Sequence, residues 1–348
     1  MRQLILLRGN SMYKKNSNKI SSYQAVLLIV VYRAIIAFTY LPVISAQPAN
    51  QDIWIVLLIS IPYTIILCLT ILYLSNKFDD LTIIQYTEKI LGKFIGKIVA
   101  LYYTGYILLF GIILVAILVE ILDSTMFSET PTWVTASIML VTCIYTAYKG
   151  LEPIARGAEI FVPFIFGVIF LFIILGYKTY DFSVLLPVFR DSTFNEINMG
   201  AIDRGIKFSD IIILAMITPH LERKEDLNKI FIKSVIYSII TIIFVAIAAQ
   251  AALGIDYAKH TNFPFFTFTR LINLFDVIQR VEALFVIAWI TGNIGKISGY
   301  LYFTAAAFSQ TIEKENNQFY IIPIAIIIWI VTILIKDRRS ILGVDRKS

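Results

Sequence analysis

A polytopic bundle of membrane-spanning α-helices is the fold class this chain predicts, on three observations. At least eight long apolar stretches run between Ile20 and Ile335, separated by short polar loops. Hydrophobic residues make up 58% and charged residues 16%, with a mean hydropathy of +0.78, far more apolar than a water-facing domain needs. The stretches are also too long and too evenly apolar for the alternating strands of a membrane barrel. A bilayer core takes about 20 apolar residues per helix, and in lipid only helices and closed barrels satisfy their own backbone. The 348 residues leave room for one membrane domain, residues 20–335. It lies between an N-terminal segment, 1–19, expected to be cytoplasmic, and a basic tail, 336–348, with no separate soluble domain.

Taken in order, the N-terminal segment carries Arg2, Arg8, Lys14, Lys15 and Lys19. Its apolar patch Leu4–Leu7 is too short for the core of a signal peptide. Arg8-Gly9, encodable by a purine-rich run just ahead of Met12, suggests Met12 as the natural start. Nine spans follow: Ser22–Ile44, Asp52–Ser75, Lys97–Leu122, Thr132–Tyr148, Pro153–Gly176, Ile206–His220, Lys229–Leu253, Val277–Phe308 and Gln318–Ile335. The first reaches Thr39-Tyr40-Leu41-Pro42, where proline removes a donor and disfavours helix just before it. The sixth is short, opens on Lys207, Ser209 and Asp210, and closes on Thr218-Pro219-His220. Interrupted helices five spans apart match a five-plus-five inverted-repeat transporter; two ordinary proline kinks would leave the same trace.

Basic residues concentrate in the loops Asn76–Gly96, Lys149–Arg156 and Glu222–Lys229, while Gln47–Gln51 and Asp123–Pro131 contain none. The basic side is therefore expected to be cytoplasmic. Nine spans then put the C-terminus outside, against the pull of Arg338, Arg339, Arg346 and Lys347. Three pieces are read as non-spanning: an amphipathic interfacial helix over Leu81–Lys97, an outer loop over Lys178–Gly205, and an aromatic surface or re-entrant helix over Thr261–Asp276.

Charges inside spans are costly and so carry the most information. Arg33 lies about 11 residues into span one, too deep to snorkel with ease. Glu152, Arg156 and Glu159 share one face of span five by their i, i+4, i+7 spacing. In span eight Glu282, Trp289, Asn293 and Lys296 fall within a stripe of about 60°, so that face looks into the bundle or a water-filled cavity. Glu159 and Lys296 are expected at similar depth, as a buried pair joined by Arg33. The pair is either part of a ligand or ion pathway or a packing device. Tyr106 is placed to line a cavity, or to pack within the core.

Composition also excludes. Cys68 and Cys143 both lie inside spans, which argues against a disulfide framework. Only His220 and His260 are available, so no histidine metal cluster, cofactor motif or Ser/His/Asp set emerges, and an enzyme is not expected. The net charge of +6 suits loops facing the anionic surface of the lipid bilayer and does not argue for nucleic acid.

Three motifs carry a family resemblance. Ile20-Ser21-Ser22-Tyr23-Gln24 is similar to an ISxxQ opening. Gly150-Leu151-Glu152-Pro153-Ile154-Ala155-Arg156 with Glu159 resembles a G-[LY]-E-x-[IL]-A-R-x-x-E element. Arg280-Val281-Glu282-Ala283-Leu284-Phe285, followed by Trp289 and Lys296, resembles an R-x-E-A-L-F…W…K stretch. Together they resemble the B subunits of spore germinant receptors, the endospore germination permease family of the amino acid–polyamine–organocation superfamily. The resemblance implies a small-molecule nutrient ligand, A and C partner subunits and the inner membrane of the spore. It implies ten helices, of which the tenth is apparently missing here. It places ligand between Thr39, Tyr40 and Leu41 of span one and Ser209, Asp210 and Ile213 of span six, with Tyr106 and Trp289 beside them. It also implies a cation site near spans one, five and eight, where Lys296 can stand in for sodium. The segment Arg33–Tyr40 departs from the superfamily by lacking glycines at the break. Two functions stay open: a sensor that binds an amino acid and signals to partner subunits, or an amino-acid or polyamine permease with alternating access.

Overall fold

The computed structural model describes residues 19–45, 50–190, 192–206, 210–261, 263–272 and 282–341, the side chains of 36–45, 50 and 337–341 excepted. The regular secondary structure of the described residues is helical, with one isolated bridge, Ile20 to Leu221. The helices are α1 (Ser22–Ser45), α2 (Ile53–Lys77), α3 (Ile83–Leu91), α4 (Lys93–Thr125), α5 (Thr132–Tyr148), α6 (Leu151–Leu175), α7 (Phe194–Ile206), α8 (Ile211–Ile217), α9 (Leu227–Leu253), α10 (Ile255–His260), α11 (Pro264–Arg270), α12 (Glu282–Thr311) and α13 (Gln318–Ile341). By length and composition α2, α4, α6, α9, α12 and α13 can each cross a bilayer. The apolar part of α1 with described side chains, and α5, are shorter. Among the described residues the structure therefore supports six crossings by single long helices and does not establish the nine expected.

The helix α12 is the axis of the bundle. It is the least apolar of the six long helices and the most enclosed, packing on α1, α4, α5, α6 and α13. In lipid a helix gains little from apolar contact alone, so close backbone approach through small residues takes its place. A Cβ at Gly292 would stand 2.3 Å from Ile35 Cδ1, and one at Gly299 would stand 1.5 Å from Tyr32 Oη. These two glycines are seven residues apart on one face, and they let α1 lie against α12.

Three expectations need correction. The helix α1 runs unbroken through Pro42 to Ser45; proline costs one backbone hydrogen bond, which membrane helices tolerate. The proposed outer loop Lys178–Gly205 contains α7, packed along α2: Tyr63 Oη donates to Asn198 Oδ1 (3.2 Å), and Gly205 faces Thr64 at the middle of α2. The amphipathic helix stops at Leu91, because Gly92 (φ 79°) turns the chain and α4 starts at Lys93. Its start is set by a capping box in which Thr82 and Gln85 satisfy each other's backbone N–H.

The two faces are held differently. On the basic face Lys224 pairs with Asp80, Lys97 with Glu313, and Ser22 Oγ donates to Asp226 Oδ2 (3.0 Å). On the opposite face Asp52 is buried at the head of α2 and accepts from Phe189 N (3.1 Å) and Ser192 Oγ. Lys336, near the end of α13, reaches Asp123 at 3.4 Å.

Candidate functional site

The sixth apolar span, Ile206–His220, is described from Asp210 onward, and it follows the helix α7 in the chain. The helix α7 descends along α2 as far as Thr64, and α8 starts at Ile211 and continues to the basic face. There Ile20 N donates to His220 O (2.8 Å) and Glu222 N donates to Ile20 O (3.0 Å). Lys207 and Ser209 fall outside the described residues; Asp210 is the first residue after them.

Asp210 is the anchor of a dry polar cluster. Its carboxylate Oδ1 accepts from Tyr300 Oη (2.9 Å) and lies 3.9 Å from Lys296 Nζ. Lys296 Nζ also donates to the carbonyl oxygen of Tyr32 in α1. The same ammonium stands 5.9 Å from the Tyr32 ring centroid and 5.7 Å from that of Tyr300. Lys296 is 0%, Asp210 3%, Tyr32 0% and Tyr300 3% exposed. A buried charge without partners costs several kcal/mol, so the carboxylate, the carbonyl and the phenol are what make this lysine tolerable. The Tyr32 hydroxyl has no hydrogen-bond partner among the described residues and lies against Gly299.

The expected site residues are distributed as follows. Asp210 and Lys296 are brought together. Tyr106 joins through rings: it packs on Phe110 at 4.7 Å, and Phe110 on Tyr300 at 6.4 Å. Ile213 is buried one turn along α8 from Asp210. Arg33 is buried, donates from Nε to Ser238 Oγ of α9 (2.9 Å), and lies close enough to Asp210 and Lys296 to interact with both electrostatically. Glu159 is half-buried and makes no ion pair among the described residues, so the expected Glu159–Lys296 pair is replaced by Asp210–Lys296. Lys296 lies between Gly292 and Gly299 on the face of α12 that meets α1. Trp289 is buried two turns from Lys296 and lines a cavity of about 20 Å³ with Phe263, Phe266, Phe285 and Val286, room for one water. The side chains of Thr39, Tyr40 and Leu41, and Ser209 entirely, lie outside the described residues. Tyr32 and Tyr300 were not anticipated, although the spacing Gly292–Lys296–Gly299 announces a close approach on the lysine's own face.

A second polar cavity, of about 370 Å³, opens on the basic face between Lys19, Ser21, Gln24, Glu152, Arg156 and Glu222. Two of the three sequence motifs meet there. Ser21 and Gln24 form a reciprocal cap at the head of α1, Ser21 N to Gln24 Oε1 (2.9 Å) and Gln24 N to Ser21 Oγ (3.2 Å). Arg156 and Glu152 pair at 2.6 Å along α6.

A family profile described as "Spore germination protein" matches residues 19–340, nearly the whole chain. The chain belongs to the spore germination permease family. Relatives within this family include spore germination protein KB of Bacillus subtilis (strain 168), 25% identical over 92% of this chain and 86% of the relative. Spore germination protein YndE of the same organism is 23% identical over 93% and 90%, and spore germination protein XB of Bacillus anthracis 24% over 91% and 89%. Among solved structures, a substrate-bound Na+-coupled sialic acid symporter superposes with a TM-score of 0.65 at 14% identity, covering 92% of this chain and 75% of its own. MhsT in complex with L-phenylalanine superposes at 0.63 with 15% identity, covering 89% and 78%. The fold of this spore germination protein is thus the five-plus-five transporter bundle. It is a multi-pass membrane protein, of a permease- or receptor-type family rather than an enzyme family.

Proposed function

We propose that this chain is the nutrient-sensing B subunit of a spore germinant receptor, binding an amino acid beside Asp210 at the head of α8 and signalling to A and C partner subunits in the spore inner membrane. The observation that carries the reading is Asp210. A buried carboxylate stands at the head of α8, held by Tyr300 and faced by Lys296. The ligand's ammonium is read by Asp210. Thr39, Tyr40, Leu41, Ser209, Ile213 and Tyr106 complete the walls. Lys296 supplies in tethered form the charge that a Na+-coupled relative of the fold takes from solution, so binding needs no sodium. A complexed amino acid in one solved structure of this fold and the germination names of the relatives are in keeping with that reading.

Sensing requires only that ligand favour one of two states; transport requires in addition that the site open to both faces. The test is binding and uptake of a labelled amino-acid panel in proteoliposomes. The expected result is saturable binding of one or a few amino acids, unchanged when sodium is replaced by choline, with no concentrative flux. Concentrative or exchange uptake would make the protein a permease instead, and a clear sodium dependence of affinity would remove the role given to Lys296.

A further inference from the structure

The surroundings of Lys296 are those of an ammonium receptor that is already full. An ammonium offers three N–H donors and no acceptor, and it is held best by oxygens and aromatic faces in a desolvated site. Lys296 Nζ has all of these: the Tyr32 carbonyl, the Asp210 carboxylate at 3.9 Å, and the faces of Tyr32 and Tyr300 within 6 Å. The four groups come from α1, α8's head and α12, and Lys296 itself is fully buried.

We infer that Lys296 is a tethered competitor for the ligand: its ammonium occupies the place that a primary ammonium of the ligand takes, and binding displaces it. This rests on the proposed amino-acid reading of the Asp210 site, and it adds both the chemical class recognised and the way occupancy is converted into a change of shape. The class is a primary amine. A quaternary ammonium has no N–H for the Tyr32 carbonyl, and sodium makes no hydrogen bond to it. The exchange puts one ammonium in the place of another on the same oxygens, and the displaced Lys296 must find new partners, so binding is coupled to a change of shape. Its structural consequence is specific. The Lys296–Tyr32 bond is a strap between α12 and α1, flanked on the same face by Gly292 and Gly299, where the two helices touch most closely. Displacing Lys296 undoes the strap and frees α1, whose head is joined by backbone pairing to the end of span six on the basic face.

The test is chemical rescue in the purified full-length protein. Lys296→Ala should melt at a lower temperature than wild type in detergent, and ethylammonium chloride should restore part of the loss. Sodium chloride and tetramethylammonium chloride at the same concentration should not. Restoration by sodium to the same extent, or by none of the three, would overturn the proposal. Should Lys296→Ala be recovered only as aggregate, Lys296→Gln decides. Its amide can still donate to the Tyr32 carbonyl, and loss of the competing charge should raise affinity for ethylammonium by about tenfold or more over wild type, because the occupied state no longer taxes binding. Equal affinity of the two proteins would overturn it. Failure of wild type to bind any amino acid, with ethylammonium rescue intact, would sink the proposed ligand and leave the ammonium site standing.

Discussion

Two clusters of charge lie along α1, one at its head on the basic face and one halfway down its length, and they use the same chemistry to opposite effect. At the head, Lys19, Glu152, Arg156 and Glu222 surround an open cavity of about 370 Å³, and the Arg156 side chain is 67% exposed. Halfway down, Lys296 and Asp210 are buried beside Tyr32 and Tyr300. In water an ion pair is screened, and its parts lose little when separated. In a dry bundle each charge depends on the other, because neither can be left alone. The motifs most recognisable in the sequence belong largely to the first cluster, where they cap and tie helices; the residues with most at stake belong to the second.

The sharpest way to break the comparison is to remove one buried partner. Lys296→Met or Asp210→Asn should each destabilise the protein by about 3–5 kcal/mol, read from thermal melts or denaturation in micelles. The double substitution should recover much of that loss, because an uncompensated charge does the damage. If the double variant is as unstable as the sum of the singles, the two groups do not act as a pair.

Next in size is the close approach of α1 and α12. Gly299→Ala would drive a methyl group into the Tyr32 ring and should cost about 1–3 kcal/mol. Adding Tyr32→Phe, which removes the hydroxyl that meets the new methyl, should restore part of it. A Gly299→Ala protein with wild-type melting would mean that the helices are not in contact there.

At the basic face the same kind of deletion should matter little. Glu152→Gln breaks an i, i+4 pair with a largely exposed arginine and should change stability by about 0.5 kcal/mol or less. A loss near that of Asp210→Asn would erase the distinction between the clusters.

The smallest expected effect is a pH dependence of the basic-face ties. Hydrogen bonding by Lys224 holds the Asp80 carboxyl below its ordinary range, and hydrogen bonds from Lys97 and then Lys93 do the same for Glu313. A carboxylate depressed in the folded state contributes stability that is full above its unfolded pKa and is lost as pH falls through the folded one. Melting temperature should therefore decline gently on acidification below the ordinary carboxylate range. Asp80→Asn and Glu313→Gln should flatten that decline; an unchanged slope would show that these ties carry none of it.

Much of the bundle was legible in the sequence because a bilayer imposes a simple rule. Long apolar runs must be helices, and a charged residue within one must face inward. That rule picked out the buried Lys296 and the polar face of α12. It failed at α7, whose Asn195, Glu196, Asn198, Asp203 and Arg204 made a helix look like a loop. Packing along α2 outweighed that polarity. It failed again at Glu159, which shares Lys296's depth by helical arithmetic but not its direction.

What the sequence determined by itself is therefore the class of fold, the helical runs of the bundle and which side chains would be costly to bury, since these follow from solvent and period alone. What only the tertiary structure decided is the company those side chains keep. Lys296 meets Asp210, Tyr300 and the Tyr32 carbonyl because Gly292 and Gly299 admit α1 against one face of α12, and because α8 starts at the same depth. Depth along a helix is written in residue number. The direction in which a helix is approached depends on steric fit between segments far apart in the chain, and no local pattern carries it.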